Sequence, residues 1–526
     1  MGAPRASARS KLAPMVEASG ESAVPLPAPP SYALTRFMVL RLLGVVYLVA
    51  FWCLIRQGLP LIGHHGLLPA DQFIRDSVGE VGSRWDAFLR MPSLFWAGIT
   101  DRELLLVGWV GLITAAFVVA GYANALMMLF LWALYLSVVH VGQLFYGYGW
   151  EIQLCETGFL AIFLCPLLSM KPFPERAAPR QVIWLFWWLI FRIMLGAGLI
   201  KMRGDPCWRN LTCLDYHFET QPIPNPLSPG FDLLPHAVHA FGVLFNHYVE
   251  LGCPLLLFAG RRARHLAAFF MAALQLTLIL SGNLSFLNWL TLVPILACFD
   301  DGLWARVLPR SLVERAKRSA AVPPLRIHNG LAWALVAVIA VLSIKPVGNL
   351  LSVHQMMNTG FEPLELVNSY GAFGSVGKVR DEIIVEGTSD PVPDASAHWL
   401  RYEFLCKPGD PMRRPCIVSP YQPRLDWQMW FAAMSSVNEE PWFVHLVWKL
   451  LHNDPGVLSL MASNPFAAAP PRFIRASLYR YEFAKPGEPG WWKRRYLGVW
   501  MPPLSADDSR LREALQAYGW LPERSE

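Results

Sequence analysis

Apolar runs of membrane-crossing length constrain this chain more than any other feature. The run from Phe37 to Ile55, at about 1.5 Å of rise per residue, is long enough to cross a hydrocarbon layer of roughly 30 Å. No cleavable signal peptide precedes it, which predicts a retained anchor. Eight further runs follow: Leu104–Gly121, Ala123–Leu144, Ile152–Met170, Val182–Ile200, His236–Ala259, Leu266–Ser281, Leu284–Phe299 and Leu331–Ile344. Composition agrees, since only 16% of the 526 residues are charged and mean hydropathy is +0.33, too apolar to coat a globular chain of this size against water. The 22 Trp, 15 Tyr and 30 Phe suit the edges of a bilayer, where amphipathic rings collect. The expected fold is a polytopic α-helical membrane protein with about nine transmembrane helices.

Loop charge orients it. With the N-terminus cytoplasmic, the inner segments carry sixteen Lys and Arg against eight on the outer loops, as the insertion rule requires. Residues 1–35, rich in Ala, Pro and Ser, read as a disordered cytoplasmic tail, residues 36–345 as the multi-span domain, and residues 346–526 as a domain in the lumen or periplasm. The net charge of +6 sits in short loops between apolar runs, which argues topology and against nucleic acid as a partner. Five cysteines lie in apolar runs. The other four bracket two short outer loops, Cys207 with Cys213 and Cys406 with Cys416, and predict two disulfides in an oxidising compartment. No C-x-x-C and no zinc-spaced His/Cys cluster occurs, so no metal and no cofactor is expected.

The outer region changes character. Short alternating runs, Trp399–Phe404 and Phe473–Phe483, predict antiparallel strands with one buried face. Arg401-Tyr402-Glu403-Phe404 before Lys407-Pro408-Gly409 is echoed by Arg480-Tyr481-Glu482-Phe483 before Lys485-Pro486-Gly487, which predicts two related hairpins. With helices over Leu425–Met434 and Trp442–Leu451, the expectation is a β-rich α+β domain built on a β-sandwich. Trp491, Trp492, Tyr496 and Trp500 read either as core of a last strand or as an adhesive surface.

Ionisable groups in a hydrocarbon layer are costly and therefore mark structure or function. Glu156 and Arg192 lie well inside consecutive runs and can neutralise one another, either to fix helix register or to serve chemistry. Lys201, Arg203 and Asp205 close the second of these runs. The proline-stiffened segment Asp215–Pro226, which includes His217 and Glu219, is expected to fold back as a lid or re-entrant loop. His247, Glu250, Asn283, Asn288 and Trp289 can complete an intramembrane polar cluster, as helix glue or as a proton-transfer site.

These stretches resemble the lipase maturation factor family. The resemblance runs from about residue 36 to 520 and rests on Glu156-Thr157-Gly158-Phe159-Leu160, Phe191–Asp205, Asp215–Pro226, Ser281–Thr291, Ala297–Asp301, Tyr370–Ser375, Ser419-Pro420-Tyr421 and Leu425–Ala433. It implies a multi-pass protein of the endoplasmic reticulum membrane that assists folding and assembly of secreted lipases such as lipoprotein lipase, without catalysing a reaction. In a bacterial cell the corresponding membrane would be the inner one. The resemblance places the client on residues 346–526, centred on Tyr421, Arg424, Asp426, Trp427 and Trp430, with membrane lipid as a second partner. The N-terminal tail and the compact basic loop at 305–326 depart from the family pattern.

A shorter resemblance supports a rival expectation. Gly198-Leu199-Ile200-Lys201 with Trp208 looks like the membrane domain of vitamin K-dependent carboxylase, in which a lysine acts as base. It implies a membrane enzyme modifying lipid or client through Lys201, Glu151, Glu156 and His217. A transporter is disfavoured because no repeated pair of broken helices is evident.

Overall fold

A computed structural model describes residue 2 and residues 31–521. Apart from Gly2 and residues 31–35, the tail expected over 1–35 lies outside the described residues, and Ala33–Thr35 already belong to the first helix. That helix, α1, spans Ala33–Ile62. Its first turn is closed from far along the chain: the Asp301 carboxylate accepts from the backbone N–H of Ala33 and Leu34, both at 2.8 Å. A carboxylate there satisfies orphan donors and complements the helix dipole.

Two short helices, α2 (Ala70–Val81) and α3 (Arg84–Arg90), follow α1, and then α4 (Asp101–Ala120), α5 (Ala125–Val141), α6 (Gly149–Leu164) and α7 (Arg180–Arg203). The chain between α7 and the next long helix folds into α8 (Pro206–Arg209), α9 (Leu214–Thr220) and α10 (Ser228–Asp232). Next come α11 (His236–His247), a π-turn at Tyr248–Gly252, α12 (Cys253–Leu256), α13 (Arg261–Ser281), α14 (Leu287–Leu296), α15 (Asp301–Val307), α16 (Arg310–Ala320), α17 (Arg326–Leu342) and α18 (Ile344–Leu351). Among the described residues five helices are long and apolar enough to cross a membrane: α1, α4, α7, α13 and the α17–α18 unit. The runs expected at 123–144 and 284–299 form the shorter apolar helices α5 and α14. Those expected at 152–170 and 236–259 form α6 and the π-broken α11–α12. The break has a local cause, because Pro254 has no N–H to return to the Glu250 carbonyl.

The helices share two polar ends. At one, Thr35 bonds Phe299, Arg36 bonds Arg176 and Ser319, Gln181 bonds Asn329, and His328 bonds Phe163. At the other, Gln57 meets Gln422, Gln143 meets Leu68, Arg203 meets Gln355, and Asn225 meets Leu280.

The C-terminal region is strand-containing, and it corrects the expected sandwich. One antiparallel sheet has the order β2 (Leu400–Arg401), β1 (Arg380–Thr388), β5 (Phe473–Phe483), β6 (Trp492–Leu504), beside a two-stranded pair of β3 (Glu403–Phe404) and β4 (Met461–Ser463). Its cover is helical: α19 (Arg424–Ala432) packs on β1 and α20 (Pro441–Leu451) on β5, with α21 (Pro455–Leu458) and α22 (Ser509–Ala517) beyond. Buried on both faces, β1 hides even Glu382 and Thr388, whereas the edge strand β6 exposes Lys493, Arg495 and Tyr496. Within the aromatic run, Trp492 is buried against Phe483 and Trp500 packs edge-on to Phe443.

The two echoed phrases do not make two hairpins. Arg480–Phe483 turns through Lys485-Pro486-Gly487 into β6, but Arg401–Phe404 divides between β1 and β4 and leads into a disulfide loop. The two loops lie against one another: the backbone N–H of Trp491 and of Trp492 donate to the Pro411 carbonyl at 2.9 and 3.1 Å. Both expected disulfides form, Cys207–Cys213 and Cys406–Cys416, with Cα separations of 4.8 and 5.5 Å.

Candidate functional site

The C-terminal region is fastened to the helices by buried polar groups, and most of the singled-out residues lie in these fastenings. The first is α19. Arg424, fully buried, donates through Nη1 to the Phe145 carbonyl at 2.6 Å and to Glu151 Oε1 at 2.8 Å, with its guanidinium 3.6 Å from the centre of the Tyr146 ring. The other Glu151 oxygen accepts from the Tyr135 hydroxyl. Gln57 bridges by donating to the Gln422 carbonyl at 2.6 Å and accepting from the Arg424 N–H at 2.8 Å. Trp150 donates to the Gln422 side chain, and Gln428 donates to Tyr148 and to the Leu144 carbonyl. Trp427 stands edge-on to both Tyr148 and Trp150, and Trp430 donates to the Thr220 carbonyl at 3.0 Å.

Asp426 faces the disulfide loop, accepting from the N–H of Cys406 at 2.5 Å and of Lys407 at 2.9 Å. Burial nevertheless pushes its carboxyl up to about 6. Of the five residues expected to touch a client, Arg424, Asp426 and Trp427 are thus buried, and Tyr421 and Trp430 are half-buried. Arg424 and Trp427 find their partners at Gln57 and at residues 145–151, more than 270 positions away, whereas Asp426 is held by the nearby disulfide loop and Trp430 by Thr220. The structure places these residues in a joint between α19 and the helices.

The second fastening runs along α7. Arg192 forks onto both oxygens of Glu156 and donates to the Asn368 carbonyl at 2.6 Å. Glu156 also accepts from the Asn368 N–H at 3.0 Å and the Tyr370 hydroxyl at 2.7 Å. Gly196 makes this approach possible, since a Cβ there would sit 2.4 Å from the Tyr370 carbonyl oxygen. Arg203 donates to Gln355, and the side chain of Asp205 caps α8.

The third fastening uses the Asp215–Pro226 segment, which folds back against the end of α13 through Gln221 and Asn225. Arg380 donates to the carbonyls of Glu219, Gln221 and Pro222 and pairs with Glu382, which Lys407 neutralises from the other side at 2.7 Å. Asn283 donates to the Cys416 carbonyl and accepts from the N–H of Val418 and Ser419. Trp289 donates to Ser419 Oγ. Segment 215–226 is a strut gripped from both sides. Sequence reasoning passed over Gln57, Tyr135, Arg380, Glu382, Lys407 and Gln422; the available signal was Gln57, an uncharged polar group beside Arg56 just past the apolar run Phe37–Ile55.

Glu219 adds a pH dependence. Burial pushes its carboxyl from 4.5 to about 7, even though it accepts from the Phe483 N–H at 2.9 Å. Between pH 4.5 and 7 the folded chain keeps a proton that the unfolded chain has lost, so this group's contribution to stability falls as pH rises through that window and is flat above it. Glu219→Gln keeps an acceptor and loses the charge. Thermal unfolding in detergent is expected to show E219Q more stable than wild type at pH 8 and equal to it at pH 4.5; equal midpoints at both would remove Glu219 as the cause.

The residues expected to converge in an enzyme do not. Glu151 and Glu156 are each taken up by a different arginine, and Lys201 pairs with Glu250 at 2.5 Å, in the π-turn. Gly198 admits that turn, because a Cβ there would meet Leu251 at 2.6 Å. Asn246 donates to the second Glu250 oxygen, Asn288 donates to Gln275, and His247 bonds the Trp208 carbonyl. Of the proposed catalytic four, only Lys201 and His217 line a common cavity. Among the described residues no group of three His, Cys, Asp or Glu side chains is placed to hold a metal ion.

Comparison with known proteins gives two family matches: a lipase maturation factor transmembrane domain over residues 34–306 and a lipase maturation factor C-terminal domain over residues 366–502. Lipase maturation factor 1 of Bos taurus is 46% identical over 510 residues, covering 91% of this chain and 90% of its own length. Lipase maturation factor 1 of Homo sapiens is 46% identical with 93% and 91% covered, and lipase maturation factor 2 of Homo sapiens is 31% identical with 94% and 85% covered. No solved structure matches the chain.

Proposed function

We propose that this chain, which belongs to the lipase maturation factor family, is a multi-pass membrane protein that assists maturation of secreted lipases, as a folding helper and not as an enzyme. The observation that carries this is the 46% identity to lipase maturation factor 1 across nine-tenths of both chains. On this reading the protein sits in the endoplasmic reticulum membrane with its N-terminus cytoplasmic, residues 36–345 as the membrane domain and residues 346–526 on the lumenal side. Nine passes are supported by the alternation of helix ends between the two polar faces and by the loop charge. The client is held by the lumenal surface. Arg424, Asp426 and Trp427 act on it indirectly, by fixing that surface to the bundle, as Tyr421 and Trp430 do beside them. A rigid platform shielding apolar patches of a half-assembled lipase lowers its aggregation without chemistry.

The test is the specific activity of a secreted lipase in cells lacking endogenous maturation factor. Wild type is expected to restore it over empty vector. The paired variant Lys201→Met with Glu250→Gln, which removes the charges together and strands neither, is expected to restore it within about twofold of wild type at equal membrane expression. No rescue by wild type would overturn the lipase client. An inert but correctly inserted pair variant would restore chemistry at Lys201.

A further inference from the structure

Two apolar cavities lie between the helices and the C-terminal region, and the second reaches residues of the first two fastenings. One, of about 160 Å³, is lined chiefly by α7, α9, α11, α13 and α14. The other, of about 380 Å³, extends to Tyr148, Trp150, Trp427, Trp430 and Phe431 at the α19 joint. They adjoin, sharing Ile193, Ala197, Leu284, Leu287, Ala372 and Phe373 as lining.

The smaller cavity is lined mostly by apolar groups, with Gln275, Asn288 and Thr291 on its α13–α14 wall and the charged groups at Lys201 and Glu250. The Lys201–Glu250 pair, with Asn246 on its free oxygen, is internally neutralised and offers dipoles but no net charge. Beside it stands His217, 4% exposed, whose Nδ1 is buried with no hydrogen-bond partner. A buried polar atom left unpartnered costs free energy that a ligand hydroxyl or carbonyl recovers. Two of the helices lining the cavity, α11 and α13, turn Phe241, Leu244, Leu276 and Leu280 outward, so the surroundings from which a ligand enters are hydrocarbon.

We propose that these cavities form a binding site for a neutral acyl lipid, its hydroxyl- or ester-bearing end hydrogen-bonded to His217 beside the Lys201–Glu250 pair and its chain running past Ala197 toward Trp427 and Trp430. An anionic lipid is excluded because Glu250 already occupies Lys201, and no second cation lines the cavities. Burial, and next to it the Lys201 charge, lowers the His217 imidazole to about 4, so at lumenal pH it meets the lipid uncharged. The chain's far end would touch the ring cluster that seats α19, so occupancy adds apolar packing to the joint. The inference does not rest on the lipase maturation reading.

The test uses the full-length protein in nanodiscs with a photoactivatable diazirine diacylglycerol, and the matching free fatty acid as comparison. Crosslinks are expected on α7, α11 and α14 residues lining the cavities. Ala197→Trp, which fills the shared wall, is expected to abolish them while crosslinks to outward residues such as Phe241 persist. His217→Phe keeps the ring and loses the hydrogen bond, and is expected to cut cavity labelling by a factor of roughly 2 to 10. Crosslinks confined to outward-facing residues, labelling unchanged in Ala197→Trp when its thermal unfolding matches wild type, or preference for the fatty acid would each overturn the proposal.

Discussion

Arg424→Ala is expected to release the C-terminal region from the helices and to leave little folded protein. The substitution strands Glu151, which is fully buried and would keep only the Tyr135 hydroxyl as a donor. Removing one member of a buried pair costs about 3–5 kcal/mol, because the remaining charge is left uncompensated. Set against a typical total of roughly 5–15 kcal/mol, that is a large share of the margin. The Phe145 carbonyl loses its donor and the Tyr146 ring its cation in the same step. Arg424→Lys is expected to be intermediate, since a point ammonium cannot serve the carbonyl, the carboxylate and the ring face as a planar fork does. The apolar pair Arg424→Met with Glu151→Leu is expected to recover most of the loss, because neither charge then remains to be solvated. Thermal unfolding in detergent, followed by size-exclusion, ranks the three. A midpoint for R424A within experimental error of wild type would mean that the joint is held by the aromatic packing of Trp427, Tyr148 and Trp150 alone.

What the sequence disclosed was whatever its own neighbours determine. Hydropathy placed a helix under every apolar run because burial in lipid follows local composition. The two disulfides were legible from loop length and sidedness, and Glu156 with Arg192 because each charge sits deep in a neighbouring apolar run. The joint was not legible. Leu425–Met434 reads as an amphipathic helix, but Arg424, Asp426 and Gln428 are buried as well. Their burial depends on Glu151, Cys406 and Tyr148, and no local pattern reports a partner so far along the chain. The sandwich expectation failed for the same reason: alternation in Phe473–Phe483 announces a half-buried strand, but whether a sheet or the helix α20 covers it is decided elsewhere. Nor does a repeated Arg-Tyr-Glu-Phe phrase fix pairing, since Glu403 finds β4 and Glu482 finds β6.

Glu156→Ala is expected to be at least as damaging as Arg424→Ala. It strands Arg192, 2% exposed and midway along α7, and also removes the acceptor of the Asn368 N–H and the Tyr370 hydroxyl. An uncompensated charge at the centre of a membrane helix costs about 2.5–3.5 kcal/mol on insertion scales, to which two unmade hydrogen bonds add roughly 1–3 kcal/mol each. Tyr370→Phe should cost only about 1 kcal/mol, because Glu156 keeps its other donors. Glu156→Gln should fall between, retaining the oxygen but leaving the guanidinium without a counter-charge. The order, measured as folded fraction after membrane extraction, distinguishes an anchor from a reactive carboxylate: a general acid or base would make E156Q fold normally and lose function, whereas an anchor makes folding and function fall together. The structure favours the second, because Glu156 has no free face. Two of its four donors come from Arg192 and two from Asn368 and Tyr370, so the carboxylate that looks most like chemistry in the sequence is consumed in holding the segment that leads to the C-terminal region.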